Sequence, residues 1–328
     1  MPRQGVCVII VNFNAGAWLP RCLDALATQT RPPDQAILVD NGSSDGSAEG
    51  LTETYPWLQV LPLGANLGFA AANNRGVQAA PGRRWIALLN PDAFPAPDWL
   101  ERLLDDADRH PDFQVFGSRL LDATRPELLD GDGDCFHVSG GVWRAYRGWP
   151  VQRAPAAGRE IFSPCAAAAL YDRDAFLAVG GFDERFFCYL EDVDLGFRLR
   201  RAGYRAWQAV DARVLHQGSG VTGELSDFSL YYIQRNLLWT YWKNMPSSRW
   251  WRHLPQHLLF NLLGFATLVR RGRAGLAWRA KRDGIKQLPA LWRERRQAPP
   301  DRVAPAELAA FMESGWWTAY RRQGRAGP

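Results

Sequence analysis

Three carboxylates, Glu191, Asp192 and Asp194, follow directly on an aromatic run in the stretch FFCYLEDVDLGFRLRRAGY, residues 186–204. Charged groups beside a large apolar cluster are costly to bury unless something pairs with them. Two readings fit these residue types at this spacing. Acids favour a helix N-terminus, and Arg198, Arg200 and Arg201 would then sit toward its other end. Alternatively, one carboxylate faces a substrate hydroxyl and works as a general base.

Other polar residues fall at the ends of apolar runs. In NFNAG (12–16) Phe13 could stack on a nucleobase while the flanking amides, Asn14 among them, bond its edge. In ILVDNGSSDGS (37–47) Asp40 and Asn41 could bind the polar edge of a base or a ribose hydroxyl; a polar turn with a helix cap at Ser44 or Asp45 fits equally. In LLNPDAFP (88–95) Asp92 could hold Mg or Mn against a diphosphate, although Asn-Pro-Asp is also good turn chemistry. GANLGFAAANNRG (64–76) offers small residues for close backbone approach, to a ligand or within helix–sheet packing. His216 in VLHQGSG (214–220) is a structural histidine or, with a carboxylate, a ligand for a divalent ion. No GxxxxGK loop occurs, so a bound diphosphate would need a metal rather than a P-loop lysine.

The elements that must position these residues alternate. Apolar runs at 6–11, 36–40, 58–63 and 85–90 are separated by helical stretches at about 18–29, 47–54, 70–79 and 98–107. Continuous apolar strands spaced by helices predict an α/β fold with a mostly parallel sheet covered on both faces. Ligands of such sheets bind outside the carboxyl ends of the strands, where the polar residues fall. Residues 122–160, rich in Gly, Asp and Pro, read as a loop-rich insertion or a pair of short strands; 161–216 read as a second α/β half; from Asp227 the pattern is helical, and it turns basic at Pro246.

At 328 residues, 47% hydrophobic and 22% charged, the chain can build a sizeable core. Five dispersed cysteines predict reduced thiols and a cytosolic setting, and the abrupt start VCVIIV does not read as a signal peptide. The net charge of +5 is uneven: sixteen Lys/Arg and five Asp/Glu fall from Arg249 onward, +11 against about −6 for the rest. The run LPQHLLFNLLGFATLV (254–269) is too short and too polar to span a bilayer. With the Trp-containing basic segments that follow, it suits a helix lying in an anionic membrane interface, or a helical cap with a solvated basic side. No helix-turn-helix, zinc or RNA-recognition motif supports nucleic-acid binding.

Taken in order, VNFN, VDNGSSDGS, NLGFAAANNRG, LLNPDAFP, GGFDERFFCYLEDVDLGFRLRRAGY and VLH resemble the family 2 glycosyltransferases, inverting enzymes of the GT-A fold, most closely the bacterial rhamnosyltransferase-like branch. The resemblance spans about residues 6–220. It implies a Rossmann-like nucleotide-sugar half (1–120), an acceptor half (121–225) and an appended helical region (226–328). It implies a nucleotide-sugar site with Phe13, Asn14, Asp40, Asn41, Asn66, Gly68, Asn90 and Asp92. Asp92 matches the last acid of the family's metal-binding DxD, Asn90 stands where the first acid would be, and His216 matches a residue that can join Asp92 on the metal. Asp192 matches the catalytic base. Glu191 is assigned to positioning the acceptor or the base, and Asp194 to the helix N-terminus or an ion pair with Arg198. Ala166 departs from the Gly-Ala usual in the family.

The resemblance implies a nucleoside diphosphate-sugar donor, first of all dTDP-rhamnose, a glycan or lipid-linked saccharide acceptor, and a divalent metal, Mg or Mn. It implies a cytoplasmic protein, peripheral on the inner face of the cytoplasmic membrane. A catalytically inactive GT-A domain that binds glycan or a partner protein is the alternative.

Overall fold

The computed structural model describes residues 5–218, 225–298 and 300–315. The end of the VLHQGSG stretch and the last part of the basic tail lie outside them.

The fully buried run Val6–Asn12 forms β1, an interior strand of the sheet. Helix α1 (Trp18–Ala27) leads to β2 (Gln35–Asp40), short α2 (Leu51–Thr54) to β3 (Leu58–Pro62), and α3 (Phe69–Gln78) to β4 (Trp85–Leu89). Strands β3, β2, β1 and β4 pair in parallel in that order, with register Asn12↔Asp40 between β1 and β2. The order reverses direction at β1, so the cleft between the carboxyl ends of β1 and β4 is a topological switch point. The helix expected from residue 47 begins only at Leu51, because Gly50 before it lies at φ 65° and interrupts the turn.

A three-residue strand, β5 (Ala93–Pro95), and α4 (Trp99–Arg109) precede β6 (Val115–Asp122). The Gly- and Asp-rich region holds β7 (Leu129–Gly131), β8 (Asp134–His137), β9 (Val142–Arg144) and β10 (Arg159–Ile161). Then come β11 (Ala168–Asp172), α5 (Arg173–Ala178), α6 (Glu191–Arg201) and β12 (Ala206–His216). The second half extends the same sheet: β11 lies antiparallel between β4 and β6, and β12 runs parallel to β6. One core layer holds Leu19, Leu23, Leu103 and Leu104 from α1 and α4; the other holds Ala70, Val77, Leu195 and Leu199 from α3 and α6.

Three long helices follow, α7 (Asp227–Asn244), α8 (Ser247–Arg270) and α9 (Ala274–Gln297), then α10 (Pro305–Ala310). The last strand, β13 (Met312–Glu313), completes a small sheet with β8 and β9. Helix α8 starts eight residues before Pro255, which lies inside it on an exposed turn.

Candidate active site

The acid cluster is both a helix start and a cleft-side group. Helix α6 begins at Glu191, so its three acids occupy the first turn. Their environments then separate them. Asp194 is fully buried and bonded to Arg198 Nε (2.8 Å), Lys243 Nζ (2.9 Å) and Asn244 Nδ2 (2.7 Å). Burial alone would raise this carboxyl, but Lys243 and Arg198 outweigh it and hold it below its ordinary value. Asp194 therefore makes the expected pair with Arg198 within α6 and, through Lys243 and Asn244, bolts α6 to α7.

Asp192 is only half-buried. Its Oδ2 accepts from the Ala166 N–H at 3.2 Å and its Oδ1 from its neighbour Val193 N–H at 2.8 Å. Ala166 needs no special backbone for this, and its φ is not positive. Burial raises the Asp192 carboxyl above its ordinary value, against the lowering influence of those two N–H groups and Arg144. A raised carboxyl with lone pairs to spare is suited to take a proton. Glu191 is buried, its Oε2 has no hydrogen-bond partner, and burial followed by the neighbouring Asp192 pushes it well up.

The chain entering α6 is held in a costly shape. Phe187, Tyr189 and Leu190 lie at φ 66°, 69° and 69°, which is rare for side chains of this size. Each such residue costs about 1–3 kcal/mol and persists only where its surroundings over-determine it. Here Asn236 on α7 donates through Nδ2 to the carbonyls of Phe186 (3.0 Å), Cys188 (3.0 Å) and Tyr189 (2.7 Å). Arg235 Nη2 donates to the carbonyls of Arg185 (3.0 Å) and Phe186 (2.7 Å). Asn74 on α3 clamps the other end by bonding both N–H and C=O of Phe182. Neither Asn236 nor Arg235 stood out in the sequence, since the loop they hold lies about fifty residues upstream.

At the switch point, Asn12, Asp40 and the 43–47 turn form one network. Buried Asn12 donates through Nδ2 to Asp40 Oδ1 (3.3 Å), Ser43 Oγ (3.0 Å) and Ser47 Oγ (2.9 Å). Asn14, at φ 54°, accepts through Oδ1 from the Ser44 N–H at 2.8 Å. Half-buried Phe13 and Asp40 face this cleft edge. Asn41 and Asn66 are brought together instead with each other: Asn41 Nδ2 donates to Asn66 Oδ1 at 3.0 Å, and Asn41 Oδ1 accepts from the Leu67 N–H. Gly68 packs under Phe187, whose ring a Cβ there would meet at 2.6 Å. These three shape the loop between β3 and α3.

Asp92 and His216 meet because β5 pairs antiparallel with β12, placing His216 opposite Ala93. Both are buried, and His216 Nε2 lies 3.5 Å from Asp92 Oδ1, beyond good hydrogen-bond length. Nε2 has no hydrogen-bond partner. Nδ1 bonds Asp130 Oδ2 at 2.7 Å, the carboxylate–histidine arrangement that fixes a tautomer with Nε2 open toward a metal. Burial lowers the imidazole pKa, but Asp130 and Asp92 outweigh it and leave it raised, so a proton on Nε2 competes with a cation. Asn90 Oδ1, one turn residue away, is buried without a partner. Among the described residues no three His, Cys, Asp or Glu side chains form a complete metal cage. A buried carboxylate and an open imidazole nitrogen fit a Mg or Mn ion that takes its remaining ligands from substrate phosphates and water.

Arg144 joins the two groups of residues. Its Nη1 pairs with Asp130, lies 3.4 Å from His216 Nδ1, and its charge acts on both Asp134 and Asp192. Asp134 is its cross-strand partner in the β8–β9 hairpin and is pushed up by burial and by Asp192. The run DGDGD at 130–134 was the available sequence signal, within a region read only as a loop-rich insertion or a pair of short strands.

Residues 7–180 match the model of glycosyl transferase family 2. The N-acetylglucosaminyl-diphospho-decaprenol L-rhamnosyltransferase of Mycobacterium tuberculosis is 34% identical over 241 residues, covering 66% of this chain and 77% of that protein. Among solved structures, the mannosyltransferase PcManGT from Pyrobaculum calidifontis, in complex with GDP-Man and Mn2+, aligns over 94% of this chain and 86% of its own at 17% identity and TM-score 0.55. GalNAc-T7 with UDP, GalNAc and Mn2+ aligns over 72% of this chain at 14% identity and TM-score 0.55; the chain spans about half of it, 51%. At those identities the likeness to the two structures is one of fold, and the fold is GT-A.

Proposed function

The chain belongs to glycosyl transferase family 2 and is a glycosyltransferase, and from that premise we propose that it transfers L-rhamnose from dTDP-rhamnose, with inversion, to a lipid-linked saccharide in cell-surface polysaccharide synthesis. One observation carries the catalytic part of this reading: Asp192 is a half-buried, raised carboxyl at the head of α6, oriented by the N–H groups of Ala166 and Val193. The choice of sugar and acceptor is supported by the mycobacterial relative, whose name gives both.

In this mechanism an acceptor hydroxyl rests against Asp192. Its proton passes to the carboxylate as its oxygen bonds to the anomeric carbon. The bond from that carbon to the diphosphate breaks on the opposite face, and the electron pair leaves with the nucleoside diphosphate. One displacement inverts the anomeric centre. General-base help of this kind is worth roughly 10²–10⁴-fold in rate. Phe13 and Asp40 hold the nucleoside, while the pair of Asn41 and Asn66 keeps the 64–68 loop shaped around it. Asp92 and His216 would hold the divalent cation, which when bound neutralises charge on the departing diphosphate. The strained 187–190 segment, fixed by Asn236 and Arg235, keeps the base aimed at the acceptor. The lipid carrier places the reaction at the inner face of the cytoplasmic membrane.

Asp192→Asn tests the assignment, because the amide keeps the shape and cannot accept the proton. Transfer should fall by at least about 10²-fold while donor affinity stays within a factor of a few. Near-wild-type transfer by this variant would remove Asp192 from the role of base.

A further inference from the structure

Helix α8 is built inside out. Its buried face carries Gln256, His257, Asn261 and Gly264 together with Trp250, Phe260 and Leu268. The polar groups meet a polar interior: His257 Nδ1 bonds the Ser139 carbonyl at 2.8 Å, and Lys281 Nζ from α9 bonds Asn261 Oδ1 (2.6 Å) and the Gln234 carbonyl (2.9 Å). The outer face carries Trp251 (69% exposed), Leu258 (56%), Leu262 (62%) and Val269. At about 100° per residue these four, with Pro255 and Ala266 between them, fall within roughly 60° of one line along the helix. A helix on the surface of a water-soluble domain has the opposite arrangement. On α9, Trp278 and Ile285 are exposed in the same way, interleaved with Arg279, Arg282 and Lys286.

No helix among the described residues is long and apolar enough to cross a membrane. The stripe must therefore meet an apolar surface from outside. Two occupants have the right chemistry, a lipid interface and a second copy of this chain. Charge decides between them. Residues 247–297 hold twelve Lys/Arg and two Asp/Glu. A second copy would bring the same excess of positive charge against itself, whereas anionic headgroups complement it.

We propose that α8 lies flat in the interface of an anionic membrane, with Trp251, Leu258, Leu262 and Val269 inserted among the acyl chains and the basic residues of α8 and α9 on the headgroups. The surface deepens the lipid-linked acceptor reading above, but stands on the helix geometry by itself. The polar buried face explains how α8 stays folded on the protein while offering its apolar side outward. The interfacial depth reached by such helices, about 5–10 Å, matches one layer of leucine and tryptophan side chains.

The test uses the full chain and vesicles of phosphatidylcholine, with and without phosphatidylglycerol, in a sedimentation assay. The wild type should bind only the anionic vesicles, less tightly as salt rises. Leu258→Ser with Leu262→Ser should weaken binding by roughly tenfold or more. Arg270→Glu with Arg271→Glu should weaken it by roughly fivefold for each basic residue lost. Both pairs should leave transfer to a water-soluble acceptor unchanged, which also shows that they fold. Equal binding to neutral vesicles, or none to either, overturns the proposal. So does a leucine pair that keeps vesicle binding and instead turns a dimer into a monomer in sedimentation velocity. Loss of the surface with transfer intact leaves the transferase reading standing; vesicle binding without transfer supports the surface and counts against that reading.

Discussion

Replacing Arg144 by methionine should move the acid limb of the transfer rate toward higher pH. Arg144 carries the positive charge that opposes burial at Asp192, and it sits in the β8–β9 hairpin, apart in the chain from Ala166 and Val193, whose N–H groups orient the base. An opposite charge favours the ionised carboxylate, and at half-exposed Asp192 water screens that attraction to on the order of 1 kcal/mol. The base must be ionised to act, so removing Arg144 raises the pH at which it ionises. Well below that limb the rate should drop by roughly fivefold, for on the order of 1 kcal/mol of lost attraction; well above it the loss should vanish. Methionine keeps most of the stem, and Asp130 retains His216 at 2.7 Å and Arg147 at 3.4 Å. The assay is kcat/KM against pH with saturating donor metal, so that proton competition at His216 does not set the limb. Arg144→Lys preserves charge and should leave the limb in place. A limb that stays in place in the methionine variant would refute the electrostatic link between Arg144 and the base.

Two further outcomes follow from buried charges. Asp194→Asn removes a buried carboxylate shared by Lys243 and Arg198; Lys243 keeps Asp183 at 2.6 Å and Arg198 keeps the carbonyls of Val179 and Gly181, so the fold should lose about 1.5–3 kcal/mol at neutral pH. Because the folded carboxyl sits below its ordinary value, its contribution is present above the unfolded pKa and lost as pH falls through the folded one, so the gap between variant and wild type in urea melts should close in acid. Asp130→Asn removes the carboxylate that orients His216 and should weaken Mn binding by roughly 10–100-fold in titration calorimetry, with His216→Ala at least as severe. Unchanged affinity in both variants would make His216 structural.

The first half of the fold was legible because continuous apolar strands and polar strand ends carry strong local signals. β1, β2, β3 and β4 begin and end within a residue of their expected places. The start of α6 was legible for the same reason, as acids at one end and arginines at the other mark a helix without tertiary help. Residues 122–160 were legible only as a loop-rich insertion or a pair of short strands, which the β8–β9 pair matches; which residues it joins was not, since strands of three or four residues have no period to read. Their product is nonetheless central: the hairpin of β8 and β9 brings Arg144 beside Asp130 and Asp134. The insertion of antiparallel β11 between β4 and β6 was also hidden, because a buried strand looks the same in either direction. Among site residues, Asp92, His216 and Asp192 carried visible chemistry, whereas Asn236 and Arg235 look like any polar residues on a helix. Their role exists only once α7 packs on the loop. The inside-out character of α8 was half legible: its apolar face was readable, but which way that face points is a property of packing.

The most direct test of the account is a donor panel. The purified chain is incubated with dTDP-, UDP- and GDP-sugars and a polyprenyl diphosphate-linked N-acetylglucosamine acceptor, with Mn or Mg and with EDTA, and nucleoside diphosphate release is followed. The account predicts release from dTDP-rhamnose, dependent on the acceptor and lost with EDTA. Turnover of a different donor, or a donor that binds and is never cleaved with acceptor and metal present, would contradict it.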